Sequence, residues 1–145
     1  MQNHSFLVQD YHTSLVWLGI LIATIMLQWF VASFAKARQP GSVPGLPPRD
    51  AAHRSFTFRA WRTHQNSLEN AGTMVGGALF AILAGANPVW LQALMAIMVV
   101  SRIAHMLLYY GIATEKNPSP RSYFFAISWF SNIGIIALGF VALFA

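Results

Sequence analysis

The chain has 145 residues, 56% of them hydrophobic and 9% charged, with a formal net charge of +5 and no cysteine. Ordinary soluble domains carry roughly 25% charged residues, so this balance excludes a water-soluble globule and points to lipid as the solvent. Without cysteine there are no disulfides, thiol nucleophiles or Cys-bound metals, and positive charge clustered at the ends of apolar segments speaks for a membrane face rather than nucleic acid.

Residues 14–36 predict a first spanning helix. They carry no charge before Lys36, and about 20 apolar residues suffice to cross the hydrocarbon. Trp17 and Trp29 lie near its two ends, as interfacial aromatics do. Residues 1–13 contain no Lys or Arg. A cleaved secretory signal needs a basic start, so the expectation is an uncleaved anchor with its N-terminus outside.

Residues 39–49 form a Pro/Gly-rich loop. Asp50 is the expected cap of a second helix over 51–84. That helix is polar through Asn70, then apolar and small. At 1.5 Å per residue it is about 50 Å long, so its first turns are expected to project into water. Gly72, Gly76 and Gly77, with Ala78 and Ala81, give small-xxx-small spacing. Such a stripe serves either packing within the chain or a subunit contact.

The turn Gly85–Asn87 precedes Pro88, which opens a third helix over 88–113. Residues 114–119 make the last loop. Ser119 is the expected cap of a fourth helix over 120–145, with Pro120 in its first position. The reading is an all-α integral membrane protein, a four-transmembrane-helix bundle forming one domain over 1–145. Six of the nine Lys/Arg residues fall between Lys36 and Arg62, and the others are Arg102, Lys116 and Arg121. Four crossings put both termini on one side, and the positive-inside rule makes loops 37–50 and 114–119 cytoplasmic and the termini external.

The same topology gathers the polar residues near the cytoplasmic face. Arg62, Asn66 and Glu69 share one stripe of the second helix. An ionised carboxylate beside an apolar segment needs a partner, so Glu69 is expected to face the bundle interior. It is the only acidic residue within membrane depth, which predicts a Glu69–Arg102 ion pair. That pair can brace two helices, belong to a binding site, or do both. Arg102, His105 and Tyr109 share a face of the third helix. Arg121 sits in the first turn of the fourth, where a cation is unfavourable by about 0.3–1 kcal/mol. With the free backbone N–H groups and the Ser122 hydroxyl it makes an anion site; the alternative is an arginine snorkelling to headgroups. No metal-ligand cluster, Ser-His-Asp triad or phosphate-binding Gly-rich loop is present in the sequence.

The run Arg62-Thr-His-Gln-Asn66-Ser-Leu-Glu69 resembles the second-helix signature of the MAPEG family, membrane-associated proteins in eicosanoid and glutathione metabolism. Arg102-Ile-Ala-His105-Met-Leu-Leu-Tyr109 resembles its third-helix motif, and Pro120-Arg121-Ser122 the start of its fourth helix. The resemblance covers roughly 55–145. It implies a homotrimer with glutathione bound near the cytoplasmic face between subunits, and no metal. It assigns Arg62, Asn66 and Glu69 to the peptide's charged ends, with Gln65 beside them at a position that varies in the family. It assigns contacts from the third helix to His105 and Tyr109. Arg121, with Ser122, is implied to stabilise the thiolate. A basic residue ending the first helix, Lys36 or Arg38, is implied to reach the site from the next subunit. Some members carry a Tyr one turn after the fourth-helix Arg; here that position is Phe125, and neither Tyr110 nor Tyr123 lies on quite the same face.

The leading functional reading is a membrane-bound glutathione transferase, with lipid-hydroperoxide peroxidase activity as a companion. It takes glutathione from the cytoplasm and a hydrophobic electrophile from the membrane lipids. The alternative is a non-catalytic relative that binds lipid or a partner protein. A third reading, a small multidrug transporter, lacks the acidic residue in the first helix that such proteins use.

Overall fold

The computed structural model describes residues 8–145. The expected external N-terminus lies in residues 1–7, outside them. Four long helices account for most of the described chain: α1 His12–Ala37, α2 Phe56–Leu83, α3 Pro88–Gly111 and α4 Pro120–Phe144. No strand occurs among the described residues. The fold is therefore all-helical, as the apolar periodicity requires.

Three of the helices are long and apolar enough to span a bilayer. Their mean hydropathies are 2.2 for α1, 1.8 for α3 and 1.9 for α4. These mark an integral membrane protein. The surface agrees, since Trp29, Phe30, Trp90 and Phe130 are all exposed, a display that water would penalise and lipid accepts. Helix α2 is the exception, because its first half is polar.

That helix also starts later than its sequence predicts. Ser55, not Asp50, is the N-cap, its hydroxyl accepting from the Phe58 N–H at 3.4 Å. Asp50 instead lies 4.0 Å from Arg54 in a solvent-exposed pair. The reason is Arg59. Its guanidinium takes the carbonyl oxygens of His53 and Arg54 at 2.7 and 3.0 Å, acceptors that a helix over 51–55 would keep for its own ladder. The 28 residues of α2 span about 42 Å.

Helix α2 packs on α1, α3 and α4, while α3 packs on α1 and α4. The apolar core lies toward the end where α1 begins and α4 finishes, among Leu21, Met74, Ala78, Leu91, Met98 and Ile135. Tyr11 closes that end, its hydroxyl donating to the buried carbonyl of Ala86 at 2.7 Å. The small-residue stripe of α2 divides its duties. Gly77 packs within the chain, where an added Cβ would meet Ile136 at 3.0 Å, whereas Gly72 and Gly76 face open space.

At the opposite end the α1–α2 loop folds back on α1. The Lys36 ammonium donates to the carbonyls of Val43 and Leu46. Helix α4 begins as predicted, with Ser119 at the N-cap and Pro120 in its first turn.

Candidate functional site

A groove of about 200 Å³ opens at the loop end of the helices, lined by Arg62, Asn66, His105, Tyr109, Arg121, Ser122 and Phe125. Six of these seven are site residues predicted from sequence. Helical spacing explains their convergence. Arg62 and Asn66 are four apart on α2, His105 and Tyr109 four apart on α3, and each pair therefore faces one way. Helix α4 packs on both, so its first turn closes the third side.

The Arg121 guanidinium is half-buried and lies 4.0 Å from the centroid of the Tyr109 ring. The ring face is negative, so this stacking holds the cation without neutralising it. Its other contacts are two long ones to the Thr114 carbonyl, both 3.5 Å. Among the described residues no carboxylate lies within 4.0 Å of it. Arg121 is thus an uncompensated cation at the positive end of a helix dipole, a location that attracts an anion.

Two neighbours carry unused hydrogen-bonding capacity. His105 is only 4% exposed, and its Nδ1 has no partner. The buried Oδ1 of Asn66 has none either. Ser122 is more committed. Its oxygen accepts from the Ser119 N–H at 3.2 Å and meets the Ser119 hydroxyl at 3.1 Å. When Ser119 donates in that contact, the Ser122 proton is free to turn to the groove.

The Glu69–Arg102 ion pair is not formed. Glu69 pairs with Arg62, Oε1 to Nη1 at 2.9 Å and Oε2 to Nη2 at 3.3 Å. Its side chain is 55% exposed and that of Arg62 35%, so Glu69 also does not face the interior of the chain. A spacing of seven residues returns almost to the same helix face, which lets Arg62 reach along α2 to the carboxylate. Arg102 is on the other side of α2, 2% exposed, donating to Ser67 Oγ at 2.7 Å.

Arg102 borders a second, much smaller space of about 10 Å³, lined by Asn70, Met74, Arg102, Phe125, Ser128, Trp129 and Asn132. Its Nε and the Oδ1 of Asn132 lack partners. Phe125 lines both this chamber and the groove, its ring centroid 6.2 Å from that of His105. The phenylalanine at this position therefore acts as a wall. Neither nearby tyrosine supplies the absent hydroxyl, for Tyr123 is exposed and Tyr110 packs on Phe56.

The remaining expected residues stand apart from the groove. Gln65 is half-buried and does not line it. Lys36 is held by loop carbonyls, and Arg38 stacks on Phe34 at 4.0 Å beside a separate cleft. Among the described residues no three His, Asp or Glu side chains gather closely enough to hold a metal ion.

One neighbour of the groove has no counterpart in the sequence reading. His53, in the irregular segment before α2, brings its Nδ1 to 3.4 Å from the Tyr109 hydroxyl. Burial and the cations Arg121, Arg59 and Arg62 hold its pKa below the usual histidine value, with Glu115 opposing them. No spacing rule marks it, because a loop places it there through the Arg59 bonds.

The family model for the MAPEG family matches residues 14–141, nearly the whole chain. No curated protein and no solved structure matches it significantly.

Proposed function

The chain belongs to the MAPEG family, a membrane family that includes glutathione transferases and related enzymes, and from that premise we propose that it is a membrane-bound glutathione transferase with activity toward lipid hydroperoxides. The observation that carries the reading is the uncompensated Arg121 guanidinium in a groove with the unpartnered His105 Nδ1 and Asn66 Oδ1. A thiol with a pKa of about 8.5 is a poor nucleophile at neutral pH. A fixed cation and a helix N-terminus both favour its anion. The groove opens at the loop end, where a water-soluble thiol arrives, while a hydrophobic electrophile arrives through lipid. The thiolate attacks the electrophile, forming the C–S bond as the leaving group departs.

A homotrimer fits the same features. The groove is smaller than the roughly 300–1,000 Å³ of small-molecule pockets, so one chain supplies only part of its wall. The exposed Arg62–Glu69 pair and the open notch at Gly72 and Gly76 would otherwise meet lipid. A neighbouring subunit covers them, and its Arg38 completes the glutathione site. Lys36 is the weaker choice, since its ammonium is already engaged. In this reading α2 also crosses the bilayer, with the termini external and the loops 37–50 and 114–119 cytoplasmic.

The test is conjugation of glutathione to a reactive aryl halide by detergent-purified protein, together with ultraviolet detection of bound thiolate. Arg121→Ala should lower turnover roughly 100-fold with a much smaller loss of glutathione affinity. Equal turnover would remove Arg121 from the mechanism. Phe125 favours one second reading, a binding protein without catalysis, because it offers no hydroxyl beside the thiol. Glutathione binding without a thiolate signal would select it.

A further inference from the structure

Ionising a thiol releases a proton, and Arg121, already charged, cannot receive it. Two imidazoles lie near the groove. His105 is 4% exposed and its Nδ1 has no hydrogen-bond partner through which a proton could leave. His53 is half-buried in the segment before α2 and touches Tyr109, whose ring lies beneath Arg121.

We propose that His53 receives the thiol proton by way of the Tyr109 hydroxyl and returns it to solution. The proposal rests on the transferase reading and adds a residue to it. His53 touches no substrate atom; it positions the Tyr109 hydroxyl and takes its proton. The S–H bond breaks and its electron pair stays on sulfur, facing Arg121. The proton passes to Tyr109 Oη as the proton of that hydroxyl passes to His53 Nδ1. Imidazolium forms and then deprotonates to water, with nothing oxidised or reduced.

Three observations support the route. The Nδ1–Oη separation is 3.4 Å and the ring centroids are 5.7 Å apart, a long contact of the kind that tightens once a ligand binds. The segment bearing His53 is braced, since Arg59 bonds the His53 carbonyl at 2.7 Å and the Tyr110 carbonyl at 3.1 Å. It is thereby fastened to both α2 and the end of α3. Finally, the charged groups facing the imidazole are Arg121, Arg59 and Arg62, with Glu115 opposed. Burial first and these cations second lower the pKa of the ring, so the imidazolium it forms sheds its proton readily to water.

Rapid mixing of the detergent-purified full chain with glutathione, following thiolate absorbance, tests this. His53→Ala should slow thiolate appearance roughly 10- to 100-fold while leaving glutathione affinity and the final thiolate level nearly unchanged. Free imidazole in the buffer should restore the rate. Tyr109→Phe keeps the ring under Arg121 and removes the relay, so it should be slow as well, without rescue. An unchanged rate in His53→Ala, or a slow rate that imidazole does not restore, overturns the proposal while the transferase reading stands. Absence of thiolate in the wild type overturns both.

Discussion

Two arginines stand on either side of Phe125, and neither meets a carboxylate. Arg121 lies in an open groove of about 200 Å³, half-buried and stacked on Tyr109. Arg102 lines a much smaller space of about 10 Å³, itself 2% exposed and bonded to Ser67. The residue type is the same. Access and volume separate their roles. An unneutralised cation with room beside it can take an anionic guest, as proposed for Arg121; one without room must have its bonds met from within.

The sharpest way to break this contrast is to remove each cation in turn. Arg121→Ala should cost the roughly 100-fold in turnover stated above and barely move the thermal midpoint in detergent. Arg102→Ala should reverse the pattern. It removes a buried side chain and orphans Ser67, for a stability loss of about 2–4 kcal/mol, read as a lowered thermal midpoint with glutathione affinity largely kept. If both variants lose the same property, the distinction fails.

The asparagines offer a finer comparison. Asn132 Oδ1 and Asn66 Oδ1 are both buried without partners. Asn132→Leu, on the Arg102 side, should be neutral or stabilising by about 1 kcal/mol, because an unpaired polar group is replaced by an apolar one of similar size. Asn66→Leu, on the open side, should weaken glutathione binding about tenfold in a calorimetric titration, the loss of one hydrogen bond to a charged ligand.

The smallest expected effect concerns pH. The pKa of His53 in the folded protein is below its ordinary value, chiefly through burial. The folded state therefore binds fewer protons than the unfolded one near pH 6. Its stabilising share is complete above about 6.5, the unfolded value, and is lost as pH falls through the folded pKa. Thermal melts between pH 7 and pH 5 should show a modest decline that His53→Gln reduces. An identical decline in the variant would detach His53 from it.

Much of this arrangement was legible in the sequence. Apolar runs marked α1, α3 and α4; Ser119-Pro120 marked the start of α4; and four-residue spacing marked the pairs Arg62–Asn66 and His105–Tyr109. Pairing across helices was less legible. Glu69 found Arg62 on its own helix because seven-residue spacing offers a partner without any tertiary contact. The sequence argument required burial of Glu69 within one chain, whereas its carboxylate lies on the outer face. Asp50 lost the cap of α2 to Ser55 through the side chain of Arg59, nine residues downstream. His53 and the loop capture of Lys36 are likewise products of loop folding, for which helical periodicity carries no signal.

The Tyr11–Ala86 bond has a consequence for how the two ends of the molecule are held. It latches the start of α1 to the α2–α3 turn, at the far end from Arg121. The tie clamps α1 to its neighbours at that extremity, as the hinge of a pair of tweezers does, and among the described residues α1 has no such bond to another helix at the other. Severing the latch with Tyr11→Phe should therefore loosen the molecule at that extremity while leaving the distant groove as it is.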